Sequence, residues 1–188
     1  MIHFLILAYL VGAIPVGFIV SWLKGVENIQ QRGSGNIGAT NVSRVLGARY
    51  FFVVFLLDAF KAFSVIFYGQ YFGLSQWIIF VGVILLLVGN KFSVFLRFTG
   101  GKGVSTSVGI LFALSSKLLM VSFIPWLLSF FIFKTVGVAS VIMVLTMPLL
   151  CWFLYKNVVM LILTFFIAVW ILFTHQDNIR IFIQKWRR

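Results

Sequence analysis

Long apolar runs alternate with short polar stretches along the whole chain. We predict one membrane-spanning helix for each of seven runs: residues 2–23, 50–72, 75–88, two short runs between 104 and 133 that meet near Lys117, 136–155 and 158–173. Hydrophobic positions do not alternate residue by residue, as they would in a barrel strand, and lipid admits only helices or closed barrels. The pattern therefore predicts an all-α integral membrane protein, with residues 1–188 forming a single polytopic domain. Merging the weaker runs gives five spans and leaves the chain ends on the same sides.

Composition and charge agree with a membrane location. The chain has 188 residues, of which 62% are hydrophobic and 10% charged. Its net charge of +12 comes from 15 Lys and Arg against three acids, and most of these cations fall in predicted loops on one face. By the positive-inside rule that face is cytosolic, which places the N-terminus outside and the C-terminus in the cytosol. We expect this positive charge to attract anionic lipid head groups and anionic substrates rather than nucleic acid.

Two further features of the sequence concern its single cysteine and its N-terminus. Cys151 is the single cysteine, so we expect no intrachain disulfide and no thiol metal cluster. The sequence also contains no zinc-ligand set, and we expect no metal and no cofactor. The first apolar run has no basic residues before it, which favours an uncleaved span over a signal peptide.

A polar, glycine-rich segment separates the first two predicted spans. Glycine can turn the backbone through positive φ, which directs successive N–H groups into a concavity that binds oxyanions. The candidate phosphate-site residues in this segment are Gly33, Ser34, Gly35, Asn36, Gly38, Thr40, Asn41 and Arg44. We also expect Thr40 or Asn41 to cap a short amphipathic helix, with Arg44 on its first turn. The alternative is a flexible connecting loop in which Gly and Asn act as turn formers.

A second polar segment, residues 89–107, follows the third predicted span. Its motif Gly100-Gly101-Lys102-Gly103 precedes three hydroxyl residues and the next apolar run, which is typical of a phosphate-binding loop before a helix N-terminus. The Walker A pattern is absent, because Leu96 occupies the position of its first glycine. Lys102 is therefore predicted to contact a phosphate outside any nucleotide site.

Two ionisable residues lie inside the second predicted span. Asp58 and Lys61 are three residues apart and share a helical face. Because charge within a span is costly, they either form an intramembrane ion pair or line an aqueous cleft, and both alternatives stay open. Asn90, at the end of the third span, is a further candidate for the cleft wall.

Two polar residues follow the last predicted span. His175 and Asn178 are three residues apart, so they share a face if the tail begins as a helix. A histidine at the end of a span is more often interfacial than catalytic. The three polar segments are nevertheless predicted to meet at one membrane face.

Five motifs resemble the PlsY family of bacterial membrane acyltransferases. They are Gly-Ala-Ile-Pro-Val-Gly at 12–17, Gly-Ser-Gly-Asn-Ile-Gly-Ala-Thr-Asn at 33–41, Leu-Asp-Ala-Phe-Lys at 57–61, Phe-Leu-Arg-Phe-Thr-Gly-Gly-Lys-Gly-Val at 95–104 and His-Gln-Asp-Asn-Ile at 175–179. The resemblance implies a seven-helix enzyme of the bacterial inner membrane with a cytosolic pocket. It implies transfer of an acyl chain from acyl phosphate to the sn-1 hydroxyl of glycerol 3-phosphate, giving lysophosphatidic acid and phosphate. The site positions that carry over are Ser34, Arg44, Lys102, His175 and Asn178, with Asn36, Thr40 and Asn41 as neighbours.

Two positions depart from the family pattern. Asn90 stands where the family usually has a histidine, and Ala62 replaces a glycine. Because asparagine does not titrate near neutrality, we expect the proton of the glycerol hydroxyl to pass to the donor phosphate or to His175, and favour the phosphate. The alternative function is a secondary transporter for organophosphates, against which stands the absence of an inverted repeat in the sequence. The sequence does not determine acyl-chain preference or oligomeric state.

Overall fold

The structure is a computed structural model that describes residues 1–186, with side chains as far as residue 184. Arg187 and Arg188 lie outside the described residues. Within the described part, the chain forms ten α-helices: α1 (Ile2–Ala13), α2 (Val16–Trp22), α3 (Ala39–Leu46), α4 (Arg49–Tyr71), α5 (Gln76–Lys91), α6 (Val104–Leu114), α7 (Ser116–Phe133), α8 (Val136–Tyr155), α9 (Val158–Thr174) and α10 (Gln176–Trp186). Single 3-10 turns occur at Ile29–Gln31 and Val94–Leu96.

Apolar helices appear at all seven predicted runs. The pair α1 and α2 forms the first, and α4 to α9 form the others. Among the described helices, α4, α7 and α8 are long and apolar enough to cross a membrane. Counting the bent pairs α1–α2 and α9–α10 as one span each raises the number to five, and α5 and α6 are shorter apolar helices. The all-helical membrane fold is confirmed, whereas the count of seven spans stays a prediction.

The first apolar run is broken at Pro15. Helix α1 ends at Ala13, α2 begins at Val16, and their axes are bent by 41°. Proline has no N–H to donate to the preceding turn, and its ring displaces the carbonyl four residues earlier. The break leaves carbonyl groups at the end of α1 that need donors from elsewhere.

Residues Met1–Leu114 form the first of two compact units. In this unit α1 packs closely on α5. A Cβ atom on Gly12 would collide with the backbone of Leu86, and one on Gly89 would collide with the backbone of Tyr9 and Ala13. Glycine at both positions lets the two helix backbones approach each other. This contact fixes the end of α5, where the second polar segment starts.

Residues Ser115–Arg188 form the second compact unit. Helix α7 continues through Pro125 and α8 through Pro148. Helix α9 ends at Thr174, and α10 continues after a bend of 60°. His175 therefore occupies the corner between these two helices. That residues 1–188 act as one polytopic domain stays a prediction.

Candidate active site

The first polar segment turns at two of its glycines. Gly33 has a φ of +58° and Gly35 a φ of +72°, in the left-handed region that favours glycine. Gly38 instead is extended, with φ −74° and ψ 163°, and forms the N-cap of α3. The left-handed turn is thus confined to the part of the segment around Ser34.

A single buried amide closes this loop. The side chain of Asn41, a residue that is 1% exposed, accepts the backbone N–H of Ser34 at Oδ1 over 2.7 Å. Its Nδ2 donates to the carbonyls of Arg32 and Asn36 at 3.0 and 2.8 Å. Asn41 therefore satisfies three backbone groups of an irregular segment that has no helix or sheet partners.

Helix α3 begins earlier than the sequence predicts. It starts at Ala39, after the extended Gly38, and no side chain caps it, so the expected caps Thr40 and Asn41 were wrong. The Asn41 side chain cannot serve as a cap because it is hydrogen-bonded to the preceding loop. With the earlier start, Arg44 lies in the last turn rather than the first, and it is exposed.

The predicted amphipathic character of α3 is confirmed. Its inner face includes Val42, which is fully buried and belongs to a hydrophobic cluster with Ile29, Ile37 and Val54. Full burial of an aliphatic side chain of this size contributes about 1.5–3 kcal/mol. The cluster thus anchors α3 and leaves Arg44 on the solvent-facing side.

The backbone N–H groups of this segment fall into two sets. The N–H of Ser34 donates to Asn41, and the N–H of Gly35 donates to the carbonyl of Arg32 at 3.0 Å. Our expectation that the loop amides point into an anion-binding concavity is therefore not met for these two groups. The N–H groups of Ala39 and Thr40 precede the first bonds of α3, which run from Asn41 and Val42 to the Gly38 carbonyl, and are better placed to bind an anion.

The second polar segment starts later than expected, because α5 continues through Asn90 to Lys91. Asn90 is 6% exposed, and its carbonyl accepts the N–H of Gly101 at 2.8 Å. A Cβ atom on Gly101 would lie 3.0 Å from Nδ2 of Asn90, and one on Gly100 would lie 2.7 Å from the carbonyl oxygen of Lys91. The two glycines thus let the loop lie directly on the end of α5, beside the Asn90 amide.

The predicted transition from this loop into a helix is confirmed. Helix α6 begins at Val104, directly after Gly103, whose φ is +87°. The N–H of Ser107 donates to the Gly103 carbonyl at 2.8 Å and closes the first turn. The earlier N–H groups of α6 lack intrahelical acceptors, and the helix dipole places partial positive charge beside them. Lys102, immediately before this turn, is half-buried.

A hydrogen bond between side chains joins the two polar segments. Nε2 of Gln30 donates to Oγ1 of Thr99 at 2.9 Å. Oγ1 of Thr99 in turn donates to the carbonyl of Leu96 at 2.6 Å. Sequence analysis did not single out either residue, because a contact between positions 30 and 99 has no local pattern. The bond therefore joins the chain just before Gly33 to the chain just before Gly100, within the first unit.

Lys61 binds both a carboxylate and the end of α1. Its Nζ lies 2.7 Å from Oδ1 of Asp58, and each residue is 9% exposed. The same Nζ donates to the carbonyls of Gly12 and Ile14 at 3.0 and 2.7 Å. Of the two alternatives for this pair, the ion pair is the one observed. A role in an aqueous cleft wall stays a prediction.

Ser93 completes the cap of the broken helix. Its hydroxyl donates to the carbonyl of Ala13 at 2.6 Å, between the two carbonyls that Lys61 binds. Three consecutive carbonyls that lose intrahelical partners at Pro15 therefore accept side-chain donors. Sequence analysis missed Ser93, since an isolated serine after a span carries no such signal.

In the second unit, His175 is buried rather than interfacial. It is 3% exposed, and its Nδ1 lies 2.9 Å from the carbonyl oxygen of Ile171. If Nδ1–H donates to this carbonyl, the neutral ring keeps its acceptor at Nε2. The helical start of the tail is confirmed, because the N–H of Ile179 donates to the His175 carbonyl at 3.0 Å. Asn178 packs on α8, where a Cβ atom on Gly137 would lie 3.4 Å from its Cγ.

Similarity to known proteins identifies the family of this chain. The sequence model described as glycerol-3-phosphate acyltransferase matches residues 2–185. The chain belongs to the glycerol-3-phosphate acyltransferase family. The acyltransferase of that name from Wolbachia pipientis subsp. Culex pipiens is 36% identical over 96% of this chain and 93% of its own length. Those from Aquifex aeolicus and Thermus thermophilus are 36% and 38% identical over 93% and 94% of this chain, and over 91% and 88% of their own lengths.

Solved structures agree with this acyltransferase assignment. The chain is 34% identical to PlsY, an integral membrane glycerol 3-phosphate acyltransferase, in crystal structures of its glycerol 3-phosphate form and its lysphosphatidic acid form. The TM-scores are 0.92 and 0.90, and each match covers 98% of this chain and 92% of the other. The predicted enzyme class and PlsY resemblance are confirmed, and the acyltransferase is a bacterial inner-membrane protein. The alternative of an organophosphate transporter gains no support.

The acyltransferase carries its predicted site residues in both units. Ser34, Arg44 and Lys102 lie in the first unit, where Gln30 and Thr99 join their segments, and His175 and Asn178 lie in the second. The described residues contain no group of three His, Cys, Asp or Glu side chains that could hold a metal ion. The individual roles of the site residues stay predictions.

Proposed function

We propose that this acyltransferase takes its acyl chain from acyl phosphate and transfers it to the sn-1 hydroxyl of glycerol 3-phosphate. The products are lysophosphatidic acid and inorganic phosphate, in the first step of phospholipid synthesis. One observation carries this proposal: two glycine-rich segments, with Arg44 in one and Lys102 in the other, are tied together by the Gln30–Thr99 hydrogen bond. Two phosphate-binding segments suit a reaction in which donor and acceptor each carry a phosphate.

In the proposed reaction the protein mainly has to position the two substrates and stabilise their negative charge. In acyl phosphate the acyl carbon is already attached to a good leaving group. The sn-1 oxygen of glycerol 3-phosphate forms a bond to that carbon, the bond from the carbon to the phosphate oxygen breaks, and phosphate leaves with the electron pair. Alignment of two bound reactants removes most of the entropic cost of such a step.

Arg44 and Lys102 supply the charge that brings two anions together. In the proposed site their cations bind substrate phosphates, and the first-turn N–H groups of α3 and α6 add donors and the positive ends of two helix dipoles. Ser34, exposed at the turn between Gly33 and Gly35, contributes its hydroxyl to the same site. The neighbouring residues proposed to line the phosphates are Asn36, Gly38, Thr40, Gly100, Gly101 and Gly103. Such donors also stabilise the oxyanion that develops on the acyl carbonyl.

The proton of the attacking hydroxyl passes, in our proposal, to a phosphate oxygen of the donor. His175 is the alternative acceptor, because the Nδ1 contact with the Ile171 carbonyl favours the tautomer with its acceptor at Nε2. Asn178, on the next turn, is proposed to hold the acceptor substrate. Asn90 positions the second polar segment, because its backbone carbonyl accepts the N–H of Gly101. Its side chain accepts no proton from the substrate.

We further propose that the N-terminus lies outside the cell, with the glycine-rich segments and the C-terminus in the cytosol. The distribution of Lys and Arg supports this orientation, because the predicted loops on that side hold most of the cations. Glycerol 3-phosphate and acyl phosphate would then reach the site from the cytosol.

The donor is tested with purified enzyme in detergent. We expect radiolabelled glycerol 3-phosphate to become lysophosphatidic acid with palmitoyl phosphate, and to stay unreacted with palmitoyl-coenzyme A or palmitoyl acyl-carrier protein. The variant Lys102→Ala, prepared in parallel, controls for contaminating acyltransferases. Efficient transfer from either thioester, with palmitoyl phosphate inert, would refute the proposed donor while leaving the family assignment intact.

A further inference from the structure

A groove lies where α2 ends and α4 begins, at the two ends of the first glycine-rich segment. It has a volume of about 460 Å³ and is lined by Val20, Leu23, Lys24, Arg49, Tyr50 and Val53. Lys24 and Arg49 stand at the two ends of the first polar segment, and none of the six lining residues is among the proposed substrate-site residues. The groove is therefore outside the proposed substrate contacts.

The groove combines an apolar wall with two cations at its end. Leu23 and Val53 are 66% and 41% exposed, so their side chains are available to a hydrocarbon chain in the bilayer. Lys24 follows the C-terminal end of α2, and Arg49 is the first residue of α4. Cations at the ends of apolar helices lie at the level where lipid phosphates are found.

The position of Arg49 is unfavourable unless an anion is nearby. A cation in the first turn of a helix is repelled by the positive end of the helix dipole. Among the described residues, neither Lys24 nor Arg49 forms an ion pair with an acidic side chain. The Arg49 guanidinium instead rests on the Tyr50 ring at 4.9 Å from its centroid, with Nη2 3.3 Å from the phenol oxygen. These contacts hold the guanidinium beside the groove without neutralising its charge.

We propose that the groove binds an anionic phospholipid of the bilayer. Lys24 and Arg49 hold the lipid phosphate, and one acyl chain lies along Val20, Leu23 and Val53. Charge complementarity selects this occupant: the groove presents two cations and no acid, so a zwitterionic lipid would bring a second cation to a site that repels it. The bound lipid bridges the end of α2 to the start of α4, on either side of the first glycine-rich segment.

The experiment measures lipid binding to the full-length enzyme by native mass spectrometry. Detergent-solubilised enzyme is titrated with dioleoyl phosphatidylglycerol or dioleoyl phosphatidylcholine, which share acyl chains and differ in headgroup. We expect phosphatidylglycerol to bind at least about tenfold more tightly, because two charge-assisted contacts to the phosphate are reinforced by net negative charge. Equal binding of the two lipids would overturn the proposal.

Matched variants locate the binding. The double variant Lys24→Gln/Arg49→Gln should lose phosphatidylglycerol affinity by about tenfold or more, whereas Lys117→Gln/Lys156→Gln, which removes two exposed cations at helix ends elsewhere, should not. Val53→Trp keeps both cations but fills the chain-binding wall, and should also weaken binding. An equal loss in both double variants, or full affinity in Val53→Trp, would reduce the effect to general surface charge and contradict the groove.

A thermal readout separates binding from folding. Wild-type enzyme should unfold at a higher temperature with phosphatidylglycerol, since a ligand that binds only the folded state stabilises it, and Lys24→Gln/Arg49→Gln should lose this increment. If the increment lost in Lys24→Gln/Arg49→Gln were larger for lysophosphatidic acid than for phosphatidylglycerol, the groove would belong to the product path, which would refute a bilayer lipid. Acyl transfer from palmitoyl phosphate is measured separately, so failure of this proposal leaves the proposed donor untouched.

Discussion

The backbone N–H of Ser34 donates to Oδ1 of Asn41 across seven residues of sequence, at 2.7 Å. Asn41 belongs to α3, which is anchored by the buried side chain of Val42. The position of α3 therefore sets the position of the turn that carries Ser34. The loop is therefore ordered by a side chain rather than by secondary structure. In the proposed mechanism this order fixes the backbone that carries the Ser34 hydroxyl before substrate binds.

Asn41→Ala should damage both stability and activity. It removes the side-chain partner of three backbone groups, of which the Arg32 carbonyl keeps the N–H of Gly35. Each of the other two costs about 1–3 kcal/mol if it is left unsatisfied, reduced here by the solvent access of the loop. We expect a lower melting temperature and a decrease in kcat/KM of at least about tenfold. Ser43→Ala is the matched control, because its hydroxyl only bonds the Thr40 carbonyl one turn back in the same helix. Equal effects of the two variants would contradict a specific role for Asn41.

Arg44→Ala and Lys102→Ala each remove one proposed phosphate contact. A charge-assisted hydrogen bond contributes about 1.5–3 kcal/mol, so kcat/KM should fall at least about tenfold in each variant. Size-exclusion elution and melting temperature should stay close to those of the wild type. Lys117→Ala removes an exposed cation far along the sequence and should retain full activity. Near-normal kinetics in both site variants would mean that the two segments only connect helices.

Asn90→His tests whether this chain lacks a general base. A positioned base raises the rate by about 10²–10⁴, so a missing one would be recovered by histidine. We expect less than about a tenfold change and no new ionisation near pH ~6.5 in the rate profile, because the proton leaves through the phosphate. Asn90→Ala keeps the backbone bond to Gly101 and reports what the amide itself contributes. A large gain in Asn90→His would overturn the substrate-assisted step.

Lys61→Met should destabilise the protein more than replacement of the whole ion pair. The single change leaves Asp58 buried without its cation and removes the donor to Gly12 and Ile14, and loss of one partner of a buried pair costs about 3–5 kcal/mol. Asp58→Leu/Lys61→Met removes the stranded charge, so its melting temperature in detergent should be higher than that of the single variant. The opposite order would point to an aqueous cleft in which Asp58 stays hydrated.

Single cysteines test the proposed orientation. In a Cys151→Ala background, cysteines that replace Phe98 and Gln184 should be protected from an impermeant thiol reagent in intact cells, and one that replaces Gln76 should react. All three native residues are exposed in the structure, so access depends on the side of the membrane rather than on burial. Labelling of the first two from outside would reverse the topology.

The sequence by itself determined the elements of this protein. Apolar run length gave the positions of the helices, since a span in lipid has to bury about 20 residues and polar stretches cannot continue it. Pro15 accounts for the break in the first span, which the run of apolar residues alone does not show, and Gly103 preceded a helix start. These features follow from local covalent properties of the backbone, which are the same in any fold.

Tertiary structure decided how the polar residues are used. The sequence could not tell that Asn41 bonds the loop instead of capping α3, or that Lys61 and Ser93 share the carbonyls exposed at Pro15. Nor could it pair Gln30 with Thr99, 69 residues apart. A polar side chain has several partners of similar energy within reach of its own segment. Which one it takes depends on the backbone groups that packing of distant helices leaves unsatisfied.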